Sequence, residues 1–439
     1  MGNPFSASVD IRFTADNQRT VGDGRFSRVF LACVRTRGSP PFVLTAGSDS
    51  GRTALRTQQA GIQGRADVQS VNWRSGASRN KRVRRRVPSA PNGRPGVTAV
   101  VTAHNYGRFL FGSVQSALSQ DGVDAKVVLI DDCSSDETPS VTSELERNPG
   151  VVAMRNENNL GLVRSFNRGL EWVDSEYVVK LDADDLVPAG AWARATSLLE
   201  MHPEVAFVYG QPLNFTGPPP AFVPGPAKSW TMWAGHDWIA GRCRSGANVI
   251  SQPEVVVRTA AMREVGGLPG DGPTATSDMN LWLRLASIGD VARINGTCQG
   301  LYRVHEASML RTSAAGIVCD LEGRRGAFAA ALAAAAGALP GARDLNITAC
   351  RSLAATALDE ACRAYDRGRT EDWPVEDLVA FARETCPEAR ELKEWKQLEH
   401  RRSVGARRAR WHPPFFADAV ARRISDELCR RYWLRSGEW

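Results

Sequence analysis

Between residues 97 and 181, four short apolar runs alternate with stretches of helical spacing, and this order restricts the chain to few architectures. The runs are Val97-Thr-Ala-Val-Val-Thr102, Ala125-Lys-Val-Val-Leu-Ile130, Val151-Val-Ala-Met154 and Tyr177-Val-Val-Lys-Leu181. They are β-branched and lack a polar alternation, the pattern of strands buried on both faces of a parallel sheet. Helical spacing fills the gaps at Phe109–Ser119, around Thr138–Glu146 with Ser134 and Ser135 as its caps, and in a stretch ending near Trp172. A β-α-β order of this kind predicts helices on both sheet faces and loops at the carboxyl ends of the strands, where open α/β sheets bind ligands. Polar residues gather at those ends. His104 and Asn105 follow the first strand, with Thr102 at its tip, and Asp131 and Asp132 follow the second. Asn159 and Gly161 follow the third, and Asp182, Asp184 and Asp185 the fourth.

Three carboxylates that close together repel. Either a hard divalent cation sits among them, completing its shell with phosphate oxygens, or the stretch is an Asp-rich turn that caps the next helix. The convergence of four polar clusters on one sheet edge speaks for the cation.

The net charge of +7 is unevenly spread. Residues 1–96 hold 17 Lys and Arg against 5 Asp and no Glu, leaving the remainder at 38 against 43. The basic pI therefore belongs to the first segment and says little about partners of the body. Residues 1–95 are rich in Arg, Ser and Gly without sustained periodicity and are expected to form a disordered basic arm. A start codon assigned too far upstream would produce the same segment. Lys81-Arg-Val-Arg-Arg-Arg86 is expected to be a solvated tail, with no specific nucleic acid as partner. The nine cysteines are scattered and never spaced Cys-x-x-Cys, which disfavours a zinc site and a disulfide framework and fits a reducing cytoplasm. No signal peptide or spanning segment is expected.

Further on, residues 211–235 form a Pro-, Gly- and Trp-rich stretch in which Trp230 and Trp233 are either a platform for a sugar ring or aromatics packed back on the body. Pro253–Arg258 reads as a strand and Met262–Leu268 as a helix. Met279, Leu281, Trp282, Leu285 and Ile288 mark one buried helical face, and Asp278 at its start is suited to an N-cap.

Taken together, these residues resemble the family 2 glycosyltransferases of the GT-A fold. The likeness is carried by Thr102-Ala-His-Asn-Tyr106, Val128–Thr138, Asn159-x-Gly161 through Asn167-x-Gly169, and Leu181-Asp-Ala-Asp-Asp185. Ser277-Asp278 leading into Leu281-Trp-Leu-Arg-Leu285, and Tyr302–Ser308, complete it. Cys133 stands where the family usually has Gly, and Phe166 where Arg is frequent. The resemblance implies a GT-A domain over residues 96–312, with a nucleotide-binding half at 96–210 and an acceptor half at 211–312. It also implies inverting transfer of a sugar from a nucleotide-diphosphate donor to an acceptor hydroxyl on a glycan, a lipid-linked molecule or a small molecule. On this reading Asp278 is the general base. Asp182 and Asp184 clamp manganese or magnesium against the diphosphate, with Asp182 shared with ribose and His305 as a further metal ligand or phosphate contact. Thr102, His104, Asn105, Asp131, Asp132, Asn159 and Gly161 line the nucleotide, with Asp131 or Asp132 accepting from base or ribose, and Trp230 and Trp233 face the acceptor. A catalytically silent binding or scaffold protein of this fold, or another nucleotide-diphosphate sugar enzyme, is the competing reading.

Residues 313–439 are expected to be a helical extension. Within them Phe416, Val420, Ile424, Leu428 and Tyr432 recur every fourth residue beside Arg422, Arg423, Arg430 and Arg431. Such a stripe either packs on the protein's own helices or, through residues 414–434, touches an anionic membrane from the cytoplasmic side.

Overall fold

The computed structural model of the protein describes residues 93–439, apart from 222–223, 271–275, 306–315, 338, 410 and 438–439, together with three earlier strand segments. Residues 1–74 and 75–439 are separate compact units. In the first, Leu31–Val34 (β1) pairs antiparallel with Phe42–Thr45 (β2); the composition of this stretch foresaw no regular structure. The remaining expectations for the arm lie outside the described residues, except at Lys81–Val83 (β3).

The second unit is built on one mixed sheet. Gly96–Ala103 (β4), Asp124–Asp131 (β5), Val151–Arg155 (β6) and Tyr177–Asp182 (β7) are the four anticipated strands, and they pair in parallel in the order β6-β5-β4-β7. Beyond β7 the sheet changes direction. Val256–Arg258 (β10) runs antiparallel between β7 and Val205–Phe215 (β8). Asp290–Arg303 (β11) lies parallel to β8, Ser229–Trp233 (β9) antiparallel to β11, and β3 antiparallel to β9.

Period-two alternation sorts the core of β4. Val97, Ala99 and Val101 face the helices Gly107–Leu118 (α1) and Ala191–Met201 (α4), joining Leu110, Val114, Trp192 and Leu198. Val100 points the other way, toward Leu162–Leu170 (α3) and, further along the same face, Gly235–Ser245 (α5) and Ser277–Ile288 (α7). The helix Thr138–Leu145 (α2) flanks the β5 side, and Thr259–Glu264 (α6) follows β10. A glycine is needed where α3 crosses β4: a Cβ at Gly169 would lie 2.6 Å from Cγ1 of Val100.

The α5–α7 layer continues without a break into the C-terminal helices Ile317–Ala334 (α8), Ala342–Arg367 (α9), Val375–Thr385 (α10) and Lys393–Val404 (α11). Leu321, Phe328, Leu353, Leu358 and Phe381 belong to the same apolar cluster as Val100. After a single turn at Ala406–Ala409 the chain ends in Pro413–Ser436 (α12). No described helix is long and apolar enough to cross a membrane. Two expectations are corrected. Ser134 and Ser135 do not cap α2: Ser134 Oγ accepts the Asn105 N–H and the Ser135 N–H donates to Asn105 Oδ1, while Asp136 takes the Thr138 N–H at the helix start. The Phe416–Tyr432 stripe does not pack on neighbouring helices, because its side chains face outward.

Candidate active site

The carboxyl edge of β4–β7 carries the polar loops, and their mutual hydrogen bonds explain their sequence. His104 acts as a clasp. Its Nδ1–H donates to the carbonyl of Asp132 at 2.7 Å, which leaves Nε2 to accept from the side-chain amides of Asn105 and Asn159 at 3.3 and 3.2 Å. One imidazole thus joins the loops after three strands, while His104, Asn105 and Asn159 stay exposed along the rim, with Thr102 and Gly161 half-buried beside them.

Asp131 and Asp132 lie beneath that rim, at 1% and 3% exposure. Asp131 accepts from the Ser134 N–H and from the Arg155 guanidinium at 2.6 Å. Asp132 accepts from the Asn156 amide and the N–H groups of Leu160 and Gly161. Burial works against charge on Asp132, but these donors and Ser165 together hold its carboxyl below the ordinary value. The sequence reading gave one of these two the contact to base or ribose. Here both also accept from the chain's own donors, which brace the loops. Arg155 and Asn156, which complete this floor, were not singled out from the sequence; polar residues directly after the third strand were their only signal.

At the end of β7 the three carboxylates have three different environments. Asp182 is half-buried and pairs with the ammonium of Lys180 two residues earlier on the same strand. Asp184 Oδ2 faces His305 Nε2 at 2.9 Å. Burial, followed by the charge of Asp182, raises the Asp184 pKa, with His305 pulling it back. Asp185 is buried and accepts the backbone N–H of Arg303 at 2.8 Å. Burial pushes its carboxyl well above the ordinary range, with Asp184 and Asp182 adding to the effect. It therefore ties the β7 turn to the end of β11 and does not cap α4, whose N-cap is Gly190. Arg303 reinforces the tie. It donates to the carbonyls of Asp184 and Gly217, and its guanidinium lies between the rings of Phe109 and Phe215, 4.6 and 4.5 Å from their centroids. Phe109 and Tyr106 also flank the His305 ring.

Among the described residues, no three His, Cys, Asp or Glu side chains form a ready-made metal cage. The Asp184–His305 pair nevertheless fits a divalent ion. Oδ2 and Nε2 share a hydrogen bond at 2.9 Å, and a carboxylate and an imidazole are donor types that divalent ions take. Two protein ligands of this kind suit an ion that draws the rest of its shell from water and phosphate.

Asp278 is the second residue of α7, whose N-cap is Thr276, so it is not itself the cap. It accepts from its neighbour's N–H at Met279 (2.7 Å) and from the Asn248 amide (3.1 Å). Burial raises its pKa to about 6; the N–H of Met279, Lys180 and Asn248 oppose the rise and Asp182 adds to it. Asp278 thus lies in the same electrostatic neighbourhood as Lys180 and Asp182. Lys180, only 3% exposed, is the residue that sequence reasoning passed over, because it sits inside an otherwise apolar strand. Glu254 is a second such residue: it is 2% exposed, burial pushes it up to about 7, and Asp278 is among the charges it feels.

Trp230 and Trp233 are not part of this surface. Both lie in β9, 3% and 7% exposed, paired with β11, so they are core residues and present no open ring face to an acceptor. The short apolar run Ser229–Trp233 was a strand signal that the surrounding prolines concealed.

Cys133 has φ +59°, the left-handed region, which explains why glycine suits this place. Its thiol makes a long contact to the Glu157 carbonyl at 3.4 Å. Cys133→Gly should raise stability by about 0.5 to 1 kcal/mol, because relief of the left-handed strain exceeds the entropy that glycine adds to the unfolded chain. Urea denaturation measures this, and a lower midpoint would show that the thiol contact outweighs the strain.

The sequence model of glycosyl transferase family 2 matches residues 98–231. The succinoglycan biosynthesis protein ExoO of Rhizobium meliloti is 35% identical over 100 residues, 23% of this chain and 28% of that protein. The poly-beta-1,6-N-acetyl-D-glucosamine synthase of Staphylococcus epidermidis is 26% identical over 117 residues, 27% of this chain and 28% of the synthase. The alignments thus span under a third of these relatives' lengths. Among solved structures, S. aureus TarS 1–349 in complex with UDP-GlcNAc has a TM-score of 0.47 at 14% identity, covering 72% of this chain and 89% of that one. The mannosyltransferase PcManGT of Pyrobaculum calidifontis, in complex with GDP-Man and Mn2+, has a TM-score of 0.42 at 17% identity, covering 67% and 88%. The stretch that holds β4 to β9, with its rim of His104, Asn159, Asp182 and Asp184, belongs to glycosyl transferase family 2.

Proposed function

We propose that the protein is an inverting, metal-dependent glycosyltransferase that moves a sugar from a nucleotide-diphosphate donor to an acceptor hydroxyl. The observation that carries this reading is the placing of Asp278, a carboxyl raised toward neutrality, in the field of the Lys180–Asp182 pair at the end of β7. Asp278 takes the acceptor's hydroxyl proton while the oxygen bonds to the anomeric carbon. The bond from that carbon to the diphosphate breaks, and its electron pair leaves with the nucleotide. A manganese or magnesium ion held by Asp184 and His305, with Asp182 alongside, would supply Lewis-acid neutralisation of the departing charge. Buried Lys180 pairs with Asp182 and, like it, acts on the charge of Asp278. Thr102, His104, Asn105, Asn159 and the Gly161 backbone line the nucleotide, and Asp131 and Asp132 serve it by fixing those loops. The relatives are named for polysaccharide biosynthesis, which puts a glycan hydroxyl first among the acceptors.

The test is a panel of uridine, guanosine and thymidine diphosphate sugars, assayed for binding and slow hydrolysis with manganese and with chelator. One donor is expected to bind and to be hydrolysed slowly with metal, both effects being lost on chelation. If no donor binds under either condition, the proposal fails.

A further inference from the structure

Helix α12 lies on the body with its amphipathic character reversed. Its two ends are pinned. Near the start, Phe415 is 2% exposed beneath the Arg401 guanidinium, 4.4 Å from its ring centroid. At the far end the carbonyl of Ser436 accepts from Thr231 Oγ1, and that of Trp433 accepts from Arg293 at 3.2 Å. Between these points the side turned to the body is charged. Arg422 pairs with Asp366 and Asp359, Asp418 approaches Arg401 at 3.6 Å, and Asp426 approaches Arg363 at 3.4 Å. The apolar stripe faces away from the body, with Phe416, Ile424 and Leu428 at 57%, 47% and 60% exposure. Burial of apolar surface is the main driving force of packing, so a helix held by its charged side leaves its apolar side for something else.

The charges around the stripe select that partner. Two of the helix's three acids, Asp418 and Asp426, are engaged with the body, and the third, Glu427, is paired within the helix to Arg430 and Arg431. Arg423, Arg430, Arg431 and Arg435 are exposed on the outer face and its flanks. From Phe416 to Tyr432 the stripe runs about 24 Å at the helical rise, with an aromatic ring at each end, an arrangement suited to a headgroup boundary. A second copy docked here across a two-fold axis would set these arginines against one another. We infer that α12 docks the protein on an anionic lipid bilayer, its apolar stripe entering the acyl boundary and its arginines meeting lipid phosphates. The inference is independent of the donor chemistry, because none of these residues belongs to the candidate active site.

The experiment is co-sedimentation of the full chain with vesicles of phosphatidylcholine alone and of phosphatidylcholine with about 30% phosphatidylglycerol, near the charge of an anionic leaflet. The unmodified protein should sediment with the anionic vesicles and remain in the supernatant with the neutral ones. Ile424→Asp with Leu428→Asp should weaken anionic binding at least tenfold while leaving the circular dichroism spectrum and donor hydrolysis unchanged. Arg423→Glu with Arg435→Glu should also lose anionic binding. Absence of binding to anionic vesicles, or undiminished binding by the Ile424/Leu428 variant, overturns the inference. So does a dimer in sedimentation equilibrium that this variant splits without any vesicle binding, which would give the stripe to a second copy.

Discussion

Replacing Asp278 by Asn should lower sugar transfer roughly 100- to 10,000-fold, the usual contribution of a positioned general base, while donor affinity changes little. The pH dependence gives the sharper test. A base must be ionised, so with its pKa raised to about 6 the rate of the unmodified enzyme should climb tenfold per pH unit below that value and level off above it. The residual rate of Asp278→Asn should show no such limb. The groups whose charge Asp278 shares are Lys180 and Asp182, with Glu254 and Tyr302 also in its field. Stability should move in the opposite direction to activity. The folded-state pKa lies above the ordinary 3.8, so the fold favours the protonated form. That contribution is fully present below pH 3.8 and is lost as pH rises through about 6. At pH 7 the ionised carboxylate therefore costs the fold. Partial solvent access and the loss of one accepted hydrogen bond trim the gain from Asn, leaving Asp278→Asn more stable by of the order of 2 kcal/mol. Transfer kinetics and urea denaturation on one preparation measure both effects. An equally active variant would contradict the base assignment, and one that loses as much stability between pH 5 and pH 7 as the parent would contradict the raised pKa.

Asp184→Ala should be nearly as damaging, lowering transfer about 100- to 10,000-fold through loss of several kcal/mol of charge neutralisation at the leaving group. It should also abolish the manganese dependence of donor binding in calorimetry, which separates it from Asp278→Asn. The same Asp184→Ala protein should hold its fold, since the Asp185 carboxylate and the Arg303 guanidinium still join the β7 turn to β11 when the Asp184–His305 contact is lost. If the alanine variant binds donor with an unchanged response to manganese, the clamp lies elsewhere.

The two most legible regions were those in which one physical signal dominates. Continuous β-branched runs gave β4 to β7 with their parallel pairing, because a strand buried on both faces has no use for alternation. Carboxylates clustered at strand ends were expected to share one sheet edge, and they do, because topology alone brings those ends together. What sequence did not reveal depended on side-chain direction. Asp131 and Asp132 also brace the loops, through Arg155 and Asn156 more than twenty residues later, which no local pattern announces. Trp230 and Trp233 look like exposed aromatics because prolines surround them, whereas pairing with β11 draws them into the core. Lys180 is hidden because a single charge within an apolar strand carries no periodic signature. The stripe of α12 was visible as a stripe, but its orientation follows from Arg422 finding Asp366 on a helix some fifty residues earlier.

The pairing of Lys81–Val83 with Met232–Trp230 covers three residues of β9 and makes β3 the outermost strand of the sheet. An uncovered strand margin recruits strands from other molecules. A chain started at residue 94 would leave this side of β9 open, with its amides and carbonyls available to any neighbouring copy. Where the sheet of the body ends on this side is therefore set by a tripeptide well upstream of the first residue that any sugar donor would touch.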